Sequence, residues 1–248
     1  MITAIYPHQH GVYDSHMNLP IHSADDPDNS GDTASFSGVS PLLSPAPDNT
    51  LSEATEPDEL PEPSLPPYEG VSLNNVLVIT NAALAEQARI ALMAADVLGF
   101  DTESRPTFIR GQHSSGPHLI QLATDTQAFL FPVLDSLYLE PAKQALEASH
   151  ILKVGFGLGD DQSRLRARLG ISPQNVLDLS RAMRKKKGSD MGAKSAVALF
   201  FGMKLQKSKK ISTSNWSLAP LTERQIKYAA DDAQVALLTY RHWLAQQP

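Results

Sequence analysis

The segment that most constrains the fold is a short apolar run, residues 97–100, that turns acidic at its end. In an extended strand successive side chains point to opposite faces, so Asp101 and Glu103 would share one face. Carboxylates held that close repel each other and raise each other's pKa unless a cation lies between them. The pattern therefore favours a site for a hard divalent cation such as Mg2+ or Mn2+. A strand that ends in a solvated acidic turn is the alternative that these residues alone leave open.

Charge is distributed unevenly along the chain. Residues 1–70 contain 12 of the 27 acidic residues, 11 of the 18 prolines and no Lys or Arg. Such a segment buries too little apolar area to offset its ordering entropy, so we predict a disordered, acidic, Pro-rich tail. Residues 71–248 hold 15 acidic and 21 basic residues, and their net charge of +6 would attract a polyanion. One hypothesis is that the tail competes with a polyanionic substrate for this basic domain.

The composition excludes several kinds of site. The chain has no cysteine, which rules out disulfides, a thiolate zinc site and a cysteine nucleophile. It contains no uninterrupted apolar run of about 18 residues, so no membrane-spanning helix is expected. Residues 1–11 lack the basic start of a signal peptide. We expect no membrane partner and a cytoplasmic location, or a nuclear one in a eukaryote.

Order is predicted to begin near Val71, with a strand meander first and alternating strands and helices after it. Asn81 is the predicted N-cap of the first helix, and turn residues at 124–126 predict a hairpin. Predicted strands cover 76–80, 97–103, 118–123, 127–131, 151–156 and 176–179. Predicted helices cover about 82–95, 141–148, 160–169, 192–202 and 222–245. This order predicts an α/β fold, with a mixed sheet of an antiparallel meander plus parallel strands, flanked by helices.

A second acidic position follows the strand at 151–156. Asp160 and Asp161 stand at the start of a predicted helix, where a carboxylate interacts favourably with free backbone N–H groups and the positive end of the helix dipole. Helix capping would account for this pair without a further role. A contribution to a cation site is the other interpretation.

The third acidic position lies within the last helix. At 3.6 residues per turn, Tyr228 and Asp232 are neighbours on one face. A helical wheel places both well away from an apolar stripe. An exposed aspartate on an amphipathic helix is the alternative interpretation. The predicted stripe consists of Ile226, Ala230, Ala233, Leu237 and Leu244.

Together the three acidic stretches resemble the DEDD (DnaQ-like) 3'-5' exonuclease superfamily, in its tyrosine-bearing DEDDy branch. The resemblance is to the exonuclease domain of the Werner syndrome protein and, more distantly, to ribonuclease D. It spans about residues 76–244 and none of the tail. It implies a ribonuclease H-like fold. The matching stretches, in order, are 100–103, 110–111 with 119–122, 153–161, 214–217 with 221–222, and 228–232.

The resemblance also implies a ligand set and a mechanism. Asp101, Glu103, Asp161 and Asp232 would hold two Mg2+ or Mn2+ ions, with Asp101 placed to bridge them. Tyr228, a phenol of ordinary pKa near 10, would orient the attacking water. Two such ions can activate water and assist the leaving oxygen in phosphodiester hydrolysis.

Two aspartate doublets require a choice. In the family, the second-motif aspartate follows the motif's lysine by eight residues, which selects Asp161 over Asp160. The third-motif aspartate follows the tyrosine by four residues, which selects Asp232 over Asp231. Asp160 and Asp231 would then have no catalytic role.

Basic residues cluster in positions 181–210, which contain 10 of the 21 Lys and Arg residues. Such a run could follow a phosphate backbone. A solvated surface or a nuclear-targeting tract would explain it equally well. Trp216 could stack on a base, although its Asn-Trp-Ser context favours packing. The candidate nucleic-acid contacts are Arg110, Lys185, Lys186, Lys187 and Trp216.

The function implied is a metal-dependent 3'-5' exonuclease that releases nucleoside 5'-monophosphates from the 3' end of DNA or RNA. Two alternatives remain, because a fold does not fix its function. One is a catalytically silent module that binds nucleic acid or protein. The other is a phosphodiesterase restricted to short oligonucleotides.

Overall fold

A six-stranded mixed sheet lies at the centre of the computed structural model, which describes residues 64–107, 115–134, 136–184 and 190–247. The strand order is β1-β4-β3-β2-β5-β6. β2, β3 and β4 form the antiparallel meander, while the β1–β4, β2–β5 and β5–β6 pairs are parallel. The predicted fold class is confirmed. The strands are β1 (Val76–Val78), β2 (Val97–Glu103), β3 (Leu119–Ala123), β4 (Ala128–Pro132), β5 (Leu152–Gly155) and β6 (Val176–Asp178).

Seven α-helices occur in the described residues, five of them near the predicted positions. The Asn81 side chain accepts a hydrogen bond from Leu84 N at 2.9 Å and is the N-cap of the first helix, as predicted. The two unpredicted helices, α4 and α6, are single turns. None of the helices in this part of the chain is both long and apolar enough to cross a membrane. The helices are α1 (Ala82–Met93), α2 (Glu140–Glu147), α3 (Gly159–Leu169), α4 (Leu179–Ala182), α5 (Ala193–Phe201), α6 (Lys209–Ser212) and α7 (Glu223–Ala245).

Helices cover both faces of the sheet. On one face, Phe100, Ile120 and Phe129 are buried in a core shared with α1 and α2. The other face packs against α7. There, a Cβ at Gly99 of β2 would collide with the Ala233 carbonyl of α7, so the glycine allows strand and helix to touch. This direct contact brings α7 to the strand that carries the first acidic motif.

Helix α7 is buried more extensively than the helical wheel predicted. Its central residues from Ala229 to Leu237 are buried except Asp231, so the burial is not limited to one stripe. Asp232 is only 6% exposed, and the interpretation of an exposed aspartate is wrong. Leu244, placed in the predicted stripe, is 50% exposed because it lies in the last turn of the helix.

Residues 64–71 form a segment, here called the N-terminal strap, that packs on the domain. Tyr68 N donates to Lys204 O at 3.0 Å, and Val71 N donates to an Asp231 carboxylate oxygen at 2.9 Å. Residues 64–70 were predicted to belong to the tail because of their proline content. These contacts tie their backbone to the domain instead, and the remaining tail residues, 1–63, lie outside the described part.

Candidate active site

β2 carries the first two carboxylates on the face that meets α7. Gly99, Asp101 and Glu103 alternate along this strand with Phe100 and Thr102, so they share one face. Gly99 contacts Ala233 on that face. Asp101 and Glu103 therefore point toward the side of the sheet covered by α7, as the alternation predicted.

Asp161 reaches the site from the first turn of α3. The N-cap of this helix is Leu158, which makes no side-chain capping bond, so the capping interpretation does not describe either aspartate. Thr102 Oγ1 instead donates a hydrogen bond to Asp161 Oδ1 at 2.5 Å. The Asp160 side chain is 82% exposed and pairs with Arg164 at 3.3 Å. Of the two aspartates, Asp161 is the one turned toward β2.

Asp232 of α7 is held by a lysine. Lys207 Nζ lies 2.9 Å from Asp232 Oδ1 and 5.6 Å from the centroid of the Tyr228 ring. In the sequence, Lys207 belongs to a basic run that could follow a phosphate backbone. In the structure this side chain lies among the carboxylates.

Asp231, the neighbouring aspartate, has a different environment. Its carboxylate forms an ion pair with Lys227 at 2.7 Å and accepts a hydrogen bond from Val71 N. Lys227 Nζ also donates to the Glu69 carbonyl at 2.6 Å. Asp231 therefore anchors the N-terminal strap, and Asp232 is the residue that interacts electrostatically with Asp101.

The four carboxylates form an electrostatically coupled group. Burial, with repulsion from Asp232 and Asp161, raises the pKa of Asp101 well above its usual range. Burial, with repulsion from Asp101, raises the pKa of Glu103 to about 9. Burial also raises the pKa of Asp232 to about 6, and the Lys207 ammonium opposes this rise. The four carboxylates, which come from β2, α3 and α7, therefore carry more negative charge than the single ammonium of Lys207 can balance.

Tyr228 lies beside this group on α7. Burial, followed by the charges of Asp232 and Glu103, raises the pKa of its phenol above the usual value of 10. The ordinary pKa assumed from the sequence is therefore wrong, because it took no account of burial among carboxylates. The phenol is neutral at physiological pH and keeps a proton to donate.

Trp216 does not have the exposed face that base stacking requires. It is 2% exposed, its ring centroid lies 6.1 Å from that of Tyr228, and its Nε1 donates to Ser212 O at 3.2 Å. The predicted nucleic-acid contact is therefore wrong, and the packing alternative describes Trp216, which supports the Tyr228 ring. Arg110, Lys185, Lys186 and Lys187 lie outside the described residues.

Two further polar residues at the site received no individual role from the sequence. Thr102, between the two carboxylates of β2, binds Asp161. Gln121 is directly opposite Asp101 in the β2–β3 register and is fully buried, and neither of its amide atoms has a hydrogen-bond partner in the described part of the chain. Its signal in the sequence is a single polar residue within the apolar strand Leu119–Ala123.

The site fits a hard cation by its chemistry. All four donors are carboxylates, which Mg2+ and Mn2+ prefer, and an ammonium already lies among them. As the side chains stand, no three acidic or imidazole groups of the described residues are close enough together to hold an ion. Asp161 is turned to Thr102 and Asp232 to Lys207, so binding an ion would require both carboxylates to exchange these partners.

A cavity of about 950 Å³ opens next to Tyr228. Its lining includes Tyr68 of the strap, Ile211 of α6 and Lys227 of α7. Tyr228 is one of the five predicted catalytic residues, and it also lines this cavity. The four carboxylates do not line this cavity. The candidate active site is therefore defined by the carboxylates and not by the cavity.

Residues 76–245 match the sequence profile of a family described as 3'-5' exonuclease. The chain belongs to this family. Its members generally use divalent metal ions.

Individual relatives agree with this assignment. The bifunctional 3'-5' exonuclease/ATP-dependent helicase WRN of Mus musculus is 30% identical over 161 residues, which cover 64% of this chain and 12% of that protein. A 3'-5' exonuclease of Arabidopsis thaliana is 29% identical over 147 residues, 58% of this chain and 51% of the relative. The chain thus spans about half or less of the length of these curated relatives.

A solved structure gives the same fold. The Escherichia coli RNase D structure, described as that of an exoribonuclease involved in structured RNA processing, superposes with a TM-score of 0.58. It is 28% identical to this chain, and the match covers 68% of this chain and 44% of that one.

Proposed function

We propose that this protein is a metal-dependent 3'-5' exonuclease that hydrolyses phosphodiester bonds at the 3' end of DNA or RNA and releases nucleoside 5'-monophosphates. The observation that carries the proposal is the convergence of Asp101, Glu103, Asp161 and Asp232 from three separate elements. Holding like charges together in a buried site costs free energy. Such groups cluster where function requires them.

The four carboxylates would hold two Mg2+ or Mn2+ ions. When bound, these ions supply an activated water and neutralise charge on the phosphoryl oxygens. Thr102, whose hydroxyl donates to Asp161, would hold this carboxylate in the metal-free protein until an ion takes the place of the hydroxyl.

Tyr228 would position the attacking water. A phenol with a raised pKa cannot serve as the base at neutral pH, but it can donate a hydrogen bond and fix the water in a productive orientation. The Trp216 ring packs beside the Tyr228 ring and restricts its movement. The orientation of Tyr228 therefore depends on packing in the domain as well as on the substrate.

A catalytically silent binding module is the second candidate, and the electrostatics disfavour it. A surface that only binds a polyanion benefits from exposed cations and gains nothing from coupled carboxylates at its centre. A phosphodiesterase restricted to short oligonucleotides would use the same chemistry and differs only in the length of strand that it accepts.

A single assay distinguishes these candidates. Matched DNA and RNA strands labelled at the 5' end are incubated with the protein and Mn2+. A ladder of shortened products indicates stepwise 3'-5' hydrolysis, whereas the absence of any hydrolysis, of long strands and of dinucleotides alike, would reject the enzyme. Hydrolysis of dinucleotides but not of long strands would favour the short-oligonucleotide phosphodiesterase.

The two aspartates of α3 supply a matched pair of variants. Asp161→Asn should abolish the ladder, because it removes a proposed ligand. Asp160→Asn should preserve it, because that side chain is solvated. The reverse result would overturn the choice of Asp161.

A further inference from the structure

We infer that Lys207 is the counter-cation of the carboxylate group in the metal-free protein, and that a divalent ion must displace its ammonium in order to bind. Lys207 would then set the affinity of the site for metal. This inference rests on the proposed function, since it concerns the same four carboxylates.

The contacts of Lys207 are those of a cation inside the group. Its ammonium is 2.9 Å from Asp232, and its side chain is 27% exposed against 4% for that aspartate. Asp232 and Asp101 both attract this ammonium electrostatically. The Tyr228 ring, 5.6 Å away, adds a weaker attraction.

One ammonium cannot satisfy four carboxylates. Within the described residues, no ion pair joins Asp101 or Glu103 to a cation, and each of them interacts electrostatically with Asp161 and Asp232. An ammonium donates at most three hydrogen bonds, whereas a divalent ion can be coordinated by oxygen atoms of several carboxylates at once. The charge that Lys207 leaves unbalanced would therefore favour its replacement by an ion of higher charge.

Lys207 is also placed where it can leave. It lies in the connection between α5 and α6, outside regular secondary structure, and its ammonium is carried on four flexible methylenes. Lys153 is different: it is fully buried in β5, and its ammonium donates to the Ala148 and Ile151 carbonyls. Lys153 is fixed by the fold, whereas Lys207 can turn toward solvent without disturbing a strand.

Displacement predicts competition between the ammonium and the metal. Because an ammonium and a divalent ion cannot occupy the same oxygen atoms, removing the ammonium should strengthen metal binding even without substrate. Without Lys207, the ion no longer has to break the charged hydrogen bond between this lysine and Asp232. The free energy of such a bond corresponds to about a tenfold change in the affinity for the ion. A lysine that only supported the fold would not produce this gain.

The test is a calorimetric titration of Mn2+ in the absence of nucleic acid. We expect Lys207→Met to bind Mn2+ about tenfold more tightly than the unaltered protein. Lys207→Arg retains the charge and should not gain affinity. Lys209→Met, two residues away, is the matched control, because Lys209 is exposed and makes no ion pair in the described part of the chain. This control should bind Mn2+ as the unaltered protein does.

Thermal unfolding provides a second readout. In EDTA, Lys207→Met should melt about 5 °C below the unaltered protein, because Asp232 loses its ion-pair partner. Saturating Mn2+ should raise its melting temperature more than that of the unaltered protein. If the variant unfolds completely in EDTA and refolds with Mn2+, the same conclusion holds.

Equal or weaker Mn2+ binding by Lys207→Met, beside normal binding by the unaltered protein, would overturn the inference and leave the exonuclease proposal intact. If neither protein bound Mn2+, the proposed metal site itself would be rejected. Metal binding without strand hydrolysis would instead reject the proposed function alone.

Discussion

Asp231 and Asp232 are adjacent in α7 and each contacts a lysine, yet their surroundings are opposite in character. Asp231 pairs with Lys227 and accepts a hydrogen bond from the backbone of the N-terminal strap. Asp232 pairs with Lys207 beside three more carboxylates. The first aspartate contacts groups that complement its charge, whereas the second, although paired with Lys207, also interacts electrostatically with the carboxylates of Asp101 and Glu103.

This difference matches a structural role for Asp231 and the catalytic role that we propose for Asp232. Complementary partners are expected where a charge only has to hold two segments together. Uncompensated charge is retained at sites where an ion or a substrate will complete the balance. The pKa of Asp231 is also raised by burial, so a raised pKa alone does not distinguish the two, whereas the number of neighbouring carboxylates does.

The strongest test of this comparison exchanges each aspartate for asparagine. Asp232→Asn should reduce turnover about a thousandfold, the upper range for removing one group that stabilises developing charge. Asp231→Asn should retain nearly full turnover. Steady-state hydrolysis of a labelled strand measures both, and similar losses in the two variants would remove the distinction.

Tyr228→Phe should lower kcat about 10- to 100-fold with little change in KM, because the hydroxyl orients water while the ring still packs on Trp216. Tyr240→Phe, on the same helix but packed on Trp243, is the control and should have unchanged kinetics. Equal losses in kcat and in substrate affinity would indicate that Tyr228 mainly binds substrate.

The pH dependence of stability should reveal the uncompensated carboxylates. The pKa of Glu103 rises from 4.5 to about 9 on folding, so its contribution to stability is fully present below pH 4.5 and is lost as the pH rises toward 9. Metal-free protein should lose on the order of 2 kcal/mol of unfolding free energy between about pH 5 and 6.5, at about 1.4 kcal/mol per pH unit. Denaturant unfolding at several pH values checks this, and Glu103→Gln should flatten the slope. A slope unchanged by that variant would contradict the assignment.

The smallest effect is expected at Asp231. Asp231→Ala should cost about 1 kcal/mol of unfolding free energy, because Val71 N and Lys227 both lose an acceptor. Asp231→Asn retains a carbonyl for Val71 N and should cost less. Denaturant melts of the two variants measure the difference, and equal destabilisation would mean that the charge rather than the hydrogen bond holds the strap.

The local features of the fold could be predicted from the sequence. Alternation along residues 97–103, the hairpin at 124–126 and the cap at Asn81 depend on neighbouring residues, which the sequence displays directly. The three motif positions followed from the family resemblance. Their convergence depends on the order of the strands, which that resemblance also implied.

Features that depend on distant packing could not be predicted. Lys207 looked like one member of a basic run, and its place beside Asp232 follows only from the path of the chain between α5 and α6. Residues 64–70 looked disordered by composition, but their backbone hydrogen bonds with Lys204 are independent of side-chain type. The helical wheel for α7 assumed that one face is buried. In the structure the close contact of Gly99 with Ala233 lets the helix pack tightly on the sheet, and more than one face is buried.

The contact at Gly99 fixes how closely β2 and α7 can approach each other. A single methyl group there would act as a wedge between β2 and α7, and it would lift Tyr228 and Asp232 together away from Asp101. The distance between the two parts of the proposed catalytic site is thus determined by a residue with no side chain, which takes no part in any proposed chemical step.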